Sequence, residues 1–331
     1  MHLSAFFFIL FIRGGSMLKR ICKKKLIISS IVLLLILTLY LIPNNDDNNI
    51  NTKISYVNYE LKTHEVYLLD NNNYLTRVKI PTHYEGKKLV EELLNILICN
   101  DISKDKIPNN FKCVINKNTV INKINIKNNT IKIDFNNSLL ETNKNQEEKV
   151  IESIVYTLTS INNINNIIIY IDGKLLTKLP KNNINIPASL SRNFGINKKY
   201  NLTSTNNISK TNVYYVNKQL DKTYYTPITL VNNDNREKIE IIIDELSNKI
   251  IDSKLNSYLN NNTKVINNNI KDNTMYVNFN ENILNDFDNN SILEEVIYTI
   301  TLSINDNYNI ENIFFDVNNK EIAKTTVKSL E

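Results

Sequence analysis

With 331 residues, 42% of them hydrophobic and only 22% charged, the chain is long enough for two ordinary globular domains and too apolar for a disordered tail. Its formal net charge of +5 traces to Lys19, Arg20, Lys23, Lys24 and Lys25, which fall together before an apolar run. No basic stripe interleaved with aromatics follows, which excludes a nucleic-acid partner, and the 5 glycines never cluster beyond Gly14-Gly15, which excludes a glycine-rich phosphate cradle.

Residues 1–25 read as a cytoplasmic N-terminus. Arg13-Gly14-Gly15 is what a purine-rich ribosome-binding site looks like when translated, so translation is expected to start at Met17. Residues 26–42 form an uncharged run rich in Leu and Ile, and a helix needs roughly 17–25 such residues to cross a bilayer. Positive residues near a span stay inside, which predicts a transmembrane anchor with everything after Pro43 outside. Leu39-Tyr40-Leu41-Ile42-Pro43 offers no small residues for signal cleavage, so the anchor is expected to stay uncleaved. Cys22 precedes the run, which disfavours a lipid anchor. Residues 43–63 read as a stalk.

Beyond the stalk the sequence is written twice, over 64–180 and 212–331, with a polar linker at 181–211 containing Pro187 and Gly195. Val66-Tyr67-Leu68-Leu69 returns as Val213-Tyr214-Tyr215-Val216, and the stretch from Ile126 to Phe135 returns from Ile270 to Phe279. Val155 to Thr159 matches Ile297 to Thr301, and Tyr170 to Lys174 matches Asp316 to Lys320. Four matches in one order mark a tandem repeat.

Each unit opens on a strand. In the first, Leu89, Leu93 and Leu97, with Val90 and Leu94 beside them, predict a helix over 87–98. Cys99 and Cys113 follow; they either pair in an oxidising compartment or stay as two small apolar residues. Ile124, Ile126, Ile131, Ile133 and Phe135 alternate about Asn128-Asn129, the pattern of a hairpin with one buried face. Val150, Ile154, Leu158 and Ile161 make the stripe of a second helix, and the apolar run 167–171 predicts a strand inside a sheet covered in part on both faces, turned by Asp172-Gly173.

The second unit repeats the order. Ile239, Ile243, Leu246 and Ile250 lie behind Asp234 and Glu237, spaced as a capping box, and Ser291 with Glu294 is spaced as another. The hairpin turns at Asp272-Asn273, and the strand 313–315 ends at Asn318-Asn319. The class expected is α+β: two tandem copies of a small mixed sheet, strand-helix-strand-strand-helix-strand, with two helices on one face and the other free for docking.

Reactive groups are scarce. His2, His64 and His83 stand in no spacing for a metal or for a base and its nucleophile. Glu91-Glu92, Glu147-Glu148 and Glu294-Glu295 sit near helix starts, where the macrodipole and solvent favour them. Asp134 and Asp172 are the best candidates for a carboxylate couple acting on a glycan. Each becomes Asn in the second unit, at Asn278 and Asn318, so at most one unit would work, whereas a turn role suits Asp and Asn equally. The 17 tyrosines offer either a face for a peptide or sugar or half-buried strand positions. No catalytic, cofactor-binding or metal-binding residue is expected.

The Val-Tyr strand, the Leu-Leu helix, Ile107-Pro108, the hairpin ending in Asp134-Phe135, Val155-Tyr156-Thr157-Leu158-Thr159 and Ile171-Asp172-Gly173-Lys174 together resemble a GerMN domain. The second unit is similar with weaker motifs. Two such units behind an anchor resemble the GerM family of spore-forming bacteria, and the resemblance covers nearly everything after Thr63. It implies a role in sporulation and later germination at the envelope between mother cell and forespore. It also implies a domain similar to the ring-building motif of envelope proteins that assemble side by side. The chain departs from the family in having Cys99-Asn100-Asp101 where Gly-Pro is frequent, and a helix in place of a lipidated cysteine. The expectation is a membrane-anchored, non-catalytic scaffold without cofactor. Its partners would be the membrane, other envelope proteins or a second copy, with peptidoglycan as a further contact. The alternative is a peptidoglycan-binding module or weak glycan-active enzyme.

Overall fold

The computed structural model describes residues 23–41, 62–248, 254–286 and 290–327, and the chain divides into two compact units, Met1–Asn58 and Tyr59–Glu331. In the first unit, helix α1 (Lys23–Leu41) covers the apolar run; among the described residues no helix is long and apolar enough to cross a membrane. Met17, Lys19, Arg20, Cys22, His2, Ile42 and the stalk as far as Leu61 lie outside the described residues, while Lys62 and Thr63 already belong to a strand.

The second unit holds both repeats. In the first repeat β1 (Lys62–Asp70) and β2 (Leu75–Thr82) form a hairpin, followed by α2 (Gly86–Leu97), α3 (Asp101–Lys106) and the short β3 (Phe111–Lys112). Then come β4 (Ile121–Lys127), β5 (Thr130–Phe135), α4 (Glu147–Leu158), β6 (Asn166–Ile171) and β7 (Lys174–Leu175). After the short β8 (Lys199–Asn201), the second repeat runs β9 (Ser209–Gln219), β10 (Lys222–Asn232), α5 (Lys238–Ser247), β11 (Val265–Lys271) and β12 (Thr274–Phe279). It ends with α6 (Glu294–Tyr308), β13 (Asn312–Val317) and β14 (Lys320–Thr326).

Each repeat contains the expected mixed sheet, in the orders β4-β5-β6-β7 and β11-β12-β13-β14. The middle pairs β5-β6 and β12-β13 are parallel, which requires a crossover, and α4 and α6 supply it. The opening strand differs from expectation. It is half of a hairpin and belongs to another sheet, ordered β3-β1-β2-β10-β8 with β9 beside β10, which runs through both repeats and is joined where Tyr225 faces Arg77. The missed strand β2 carries the buried polar residues Thr76, Arg77 and Thr82, and that breaks the apolar alternation by which strands are recognised.

The closing strands lie inside their sheets but are covered on one face only: Ile167 and Ile169 are buried, Ile168 and Tyr170 half-buried. On the outer face of the second sheet the ring of Phe314 stacks on Tyr276 with centroids 4.7 Å apart, under the Lys324 ammonium. Phe314 on that side is thus partly covered by its neighbours, while Tyr276 stays exposed.

Both expected capping boxes are absent. Helix α5 begins at Lys238 with Glu237 in the cap position and no side-chain cap bond. Asp234 instead accepts from the Arg236 N–H and pairs with its guanidinium at 2.7 Å, while Glu237 accepts from Asn268 Nδ2. Helix α6 begins at Glu294 behind Leu293, and the Ser291 hydroxyl donates to Asn285. In each case another partner takes the polar group the cap would have used. Ile250 lies outside the described residues.

The helix match between repeats is one turn out. The Tyr67 N–H donates to Thr157 Oγ1 at 3.0 Å and the Tyr214 N–H to Ser303 Oγ at 2.9 Å, so Thr157 corresponds to Ser303, not to Thr299. Val150, Ile154 and Leu158 then fall on Val296, Ile300 and Ile304. A slip of four residues keeps the same helix face toward the core, which is why the sequence pattern tolerated it.

The turns explain the scarcity of glycine. Of the 16 non-glycine residues with positive φ among the described residues, all but Leu220 and Tyr258 are Asn or Asp, the side chains that tolerate left-handed backbone best. Asn128-Asn129 and Asp272-Asn273 turn their hairpins in this way.

The stretch 181–211 is packed, not free. Ile186, Leu190, Phe194 and Ile196 join the first core, and β8 pairs in parallel with β10. At Gly195, φ is +88° and a Cβ would meet the Thr229 side chain at about 3.0 Å, so the segment passes too close to β10 for any side chain. Cys99 and Cys113 form a disulfide with Cα atoms 5.2 Å apart.

Candidate functional site

Asp134 and Asp172 come together at one sheet end, as parts of a turn. Asp172 has φ +48° and Gly173 φ +77°, and the Gly173 N–H donates to Asp134 Oδ1 at 2.9 Å. In the second repeat the Asn319 N–H donates to Asn278 Oδ1 at 3.2 Å, and Asn278 Nδ2 donates to Asn319 Oδ1 at 2.9 Å. The turn needs one acceptor oxygen at this position, which carboxylate and amide both supply.

Glu147 and Glu92 also have structural partners. Glu147 is buried, against the expectation of solvent, and accepts the backbone N–H groups of Lys181 and Asn182. It pins the inter-repeat segment at its start. Glu92 is buried between Thr82 and Lys106. Burial, then the nearby Lys62, lowers the pKa of His64 on β1; His83 lies after β2 with its ring 4.7 Å from that of Tyr84. Among the described residues no group of three His, Cys, Asp or Glu side chains is placed to hold a metal.

The densest polar chemistry lies between the repeats. Tyr67 and Tyr214 share a hydrogen bond at 3.2 Å and Thr76 and Thr226 share one at 2.7 Å; both pairs join equivalent positions. The Arg77 guanidinium pairs with Glu65 at 2.5 Å. Arg192, from the inter-repeat segment, pairs with Asp306 of the second repeat, and its guanidinium lies 4.9 Å from the Tyr156 ring centroid. Asp306 also accepts from the Tyr214 hydroxyl at 3.0 Å, and Asn217 Nδ2 donates to Asp70 across the boundary at 2.7 Å.

Burial alone would raise the Glu65 carboxyl, but the charge and hydrogen bond of Arg77 outweigh it and hold the pKa at about 2. Burial pushes the phenols of Tyr67, Tyr156 and Tyr214 above their ordinary range, so they stay neutral donors. Tyr74 packs on the second core and Tyr224 on the first. Each hairpin thus inserts an aromatic side chain into the other repeat.

Beside this junction is an open cleft of about 450 Å³. Tyr74, Tyr200, Asn145, Asn182 and Lys149 line it, and the Lys198 ammonium bridges Glu148 at 2.5 Å and Glu152 at 3.0 Å in its wall. Burial, ahead of the Lys198 charge, leaves the Glu152 pKa raised, and burial lowers that of Lys149. Sequence reasoning did not reach the junction or the cleft. One signal was available: a buried-strand Arg77 and a linker Arg192 each need an acid partner.

A family model described as sporulation and spore germination matches residues 65–177 and 212–323. The spore germination protein GerM of Bacillus subtilis (strain 168) is 27% identical over 265 residues, covering 77% of this chain and 71% of that protein. The solved tandem GerMN domains of the Bacillus subtilis sporulation protein GerM superpose with a TM-score of 0.71 at 27% identity, covering 78% of this chain and 92% of that one. With both repeats matched, in sequence and in three dimensions, the chain belongs to the Germane family of sporulation and spore germination proteins.

Proposed function

We propose that the chain is a non-catalytic assembly protein of the cell envelope in sporulating bacteria. In this reading residues 26–42 anchor it, the N-terminus is cytoplasmic, and both repeats work outside the membrane through contacts with other envelope proteins. The observation that supports it is the junction. Arg192 with Asp306, Tyr67 with Tyr214 and Thr76 with Thr226 are spent on each other, which holds two α+β units in one arrangement and leaves shape, not reactivity, at the surface. The anchor is supported by the uncharged run behind its lysines and the positive-inside rule. A strain retaining the first 61 residues but lacking 62–331 should fail to assemble an envelope complex during sporulation. Normal spores with every envelope protein in place would overturn the reading.

A second reading, glycan binding, is favoured by the cleft, where two tyrosines and three amides face one volume. Apolar sugar faces stack on aromatic rings and amides satisfy hydroxyls. The purified chain should then pellet with peptidoglycan sacculi, and Tyr200→Ala should release it. Pelleting that is indifferent to Tyr200 would remove this reading.

A further inference from the structure

Two residues break the rule that governs the other left-handed positions. Leu220, in the turn between β9 and β10, has φ +53° and Tyr258 has φ +57°. Neither has the short polar side chain that makes this backbone tolerable for Asn and Asp. Both are exposed, Leu220 by 83% and Tyr258 by 43%. A bulky apolar side chain held in that conformation and left in water is unfavourable twice over for the isolated chain.

Lys218 connects the two. Lys218, two residues before Leu220, holds its ammonium 4.9 Å from the Tyr258 ring centroid. The matching tip of the first repeat has Asn73 in its left-handed position and is closed by Asp70, which accepts from the N–H groups of Asn72 and Tyr74. The departure therefore belongs to the second repeat alone.

The surroundings carry both signs of charge and further aromatic surface. Lys218 and Asp221 are exposed. Glu295, half-buried at the start of α6, is within electrostatic reach of both Lys218 and Tyr225. The Tyr225 ring lies 5.5 Å from that of Tyr298. Interface centres are enriched in tyrosine, and a two-fold contact requires a patch complementary to itself. A cation and an anion side by side around an apolar knob meet that requirement, whereas a patch of one sign would repel its copy.

We propose that the β9–β10 tip, with Leu220, Tyr258 and Lys218, is a two-fold contact face for a second copy of this chain, Lys218 of each copy facing Glu295 of the other. This rests on the reading of the chain as an assembly protein and supplies one of its partners.

The test uses the full chain, expressed in sporulating cells as two differently tagged copies, each with a photo-reactive benzoylphenylalanine at position 258. Light should give an adduct containing both tags. Leu220→Asn should cut its yield about tenfold, the loss expected for a central apolar contact, while the thermal midpoint of the purified chain rises because the turn is relieved. An adduct only with some other protein, no adduct, or a yield indifferent to Leu220→Asn would overturn the proposal. So would a lowered midpoint, which would show that packing holds the leucine in place. An adduct with another protein removes the self-contact yet leaves the assembly reading standing; that reading fails only if the deletion strain builds a complete envelope complex.

Discussion

The hydroxyls of Tyr67 and Tyr214, equivalent residues of the two repeats, share a hydrogen bond at 3.2 Å. The repeats therefore meet about an approximate two-fold relationship, and the asymmetric parts of the junction, Arg77 with Glu65 and Arg192 with Asp306, flank that contact. The polar groups gathered there are buried, so each depends on its partner.

Removing one member of such a pair should be costly. Arg192→Ala leaves Asp306, whose side chain is 2% exposed, without its cation, and the expected loss is about 3–5 kcal/mol in urea unfolding. Arg192→Lys should recover only part, since the guanidinium also donates to Thr159 Oγ1 and reaches the Tyr156 carbonyl with a planar fork that lysine lacks. An unchanged midpoint in Arg192→Ala would remove the junction from the stability argument.

The junction should weaken in acid. The Glu65 pKa is held at about 2 in the folded chain against an ordinary 4.5. A depressed carboxyl contributes stability that is complete above the unfolded value and is lost as pH falls through the folded one. The window runs from about pH 4.5 down to about 2. Glu65→Gln should flatten the pH dependence of the unfolding midpoint in that window; an unchanged slope would count against the Arg77 pairing.

Reduction should loosen the first repeat. The Cys99–Cys113 bridge spans a sequence separation of 14, and closing a loop of this size contributes about 3 kcal/mol in the chain-entropy account. Cys99→Ala with Cys113→Ala should lower the thermal midpoint and make it insensitive to dithiothreitol.

The two roles considered for Asp134 separate cleanly. As a turn acceptor, Asp134→Asn should change stability by less than about 0.5 kcal/mol and Asp134→Ala should cost about 1 kcal/mol. A general acid or nucleophile would lose its activity in both variants. Calorimetry of the pair beside a peptidoglycan digestion assay tells the roles apart.

The sequence carried the tandem architecture, the helices α2 and α4, the hairpins at Asn128-Asn129 and Asp272-Asn273, and both closing strands, because these obey simple apolar periods. It did not carry β2 and β10 as partners. Thr76 bonds Thr226 and Arg77 faces Tyr225 on the other repeat, and a pairing about 150 residues away leaves no local period. The caps failed for a related reason: Asp234 and Ser291 had several partners within reach, and composition does not rank them. For the candidate carboxylates the informative signal is the difference between the two repeats. The exchange of Asp134 for Asn278 already pointed to a role that needs only an acceptor oxygen.

That exchange recurs. Asn128 answers to Asp272 and Asp172 to Asn318, each with positive φ, and codons for the two amino acids differ by a single base. Descendants of this gene can therefore alter the electrostatic rim of both sheets one turn at a time while the architecture beneath stays fixed.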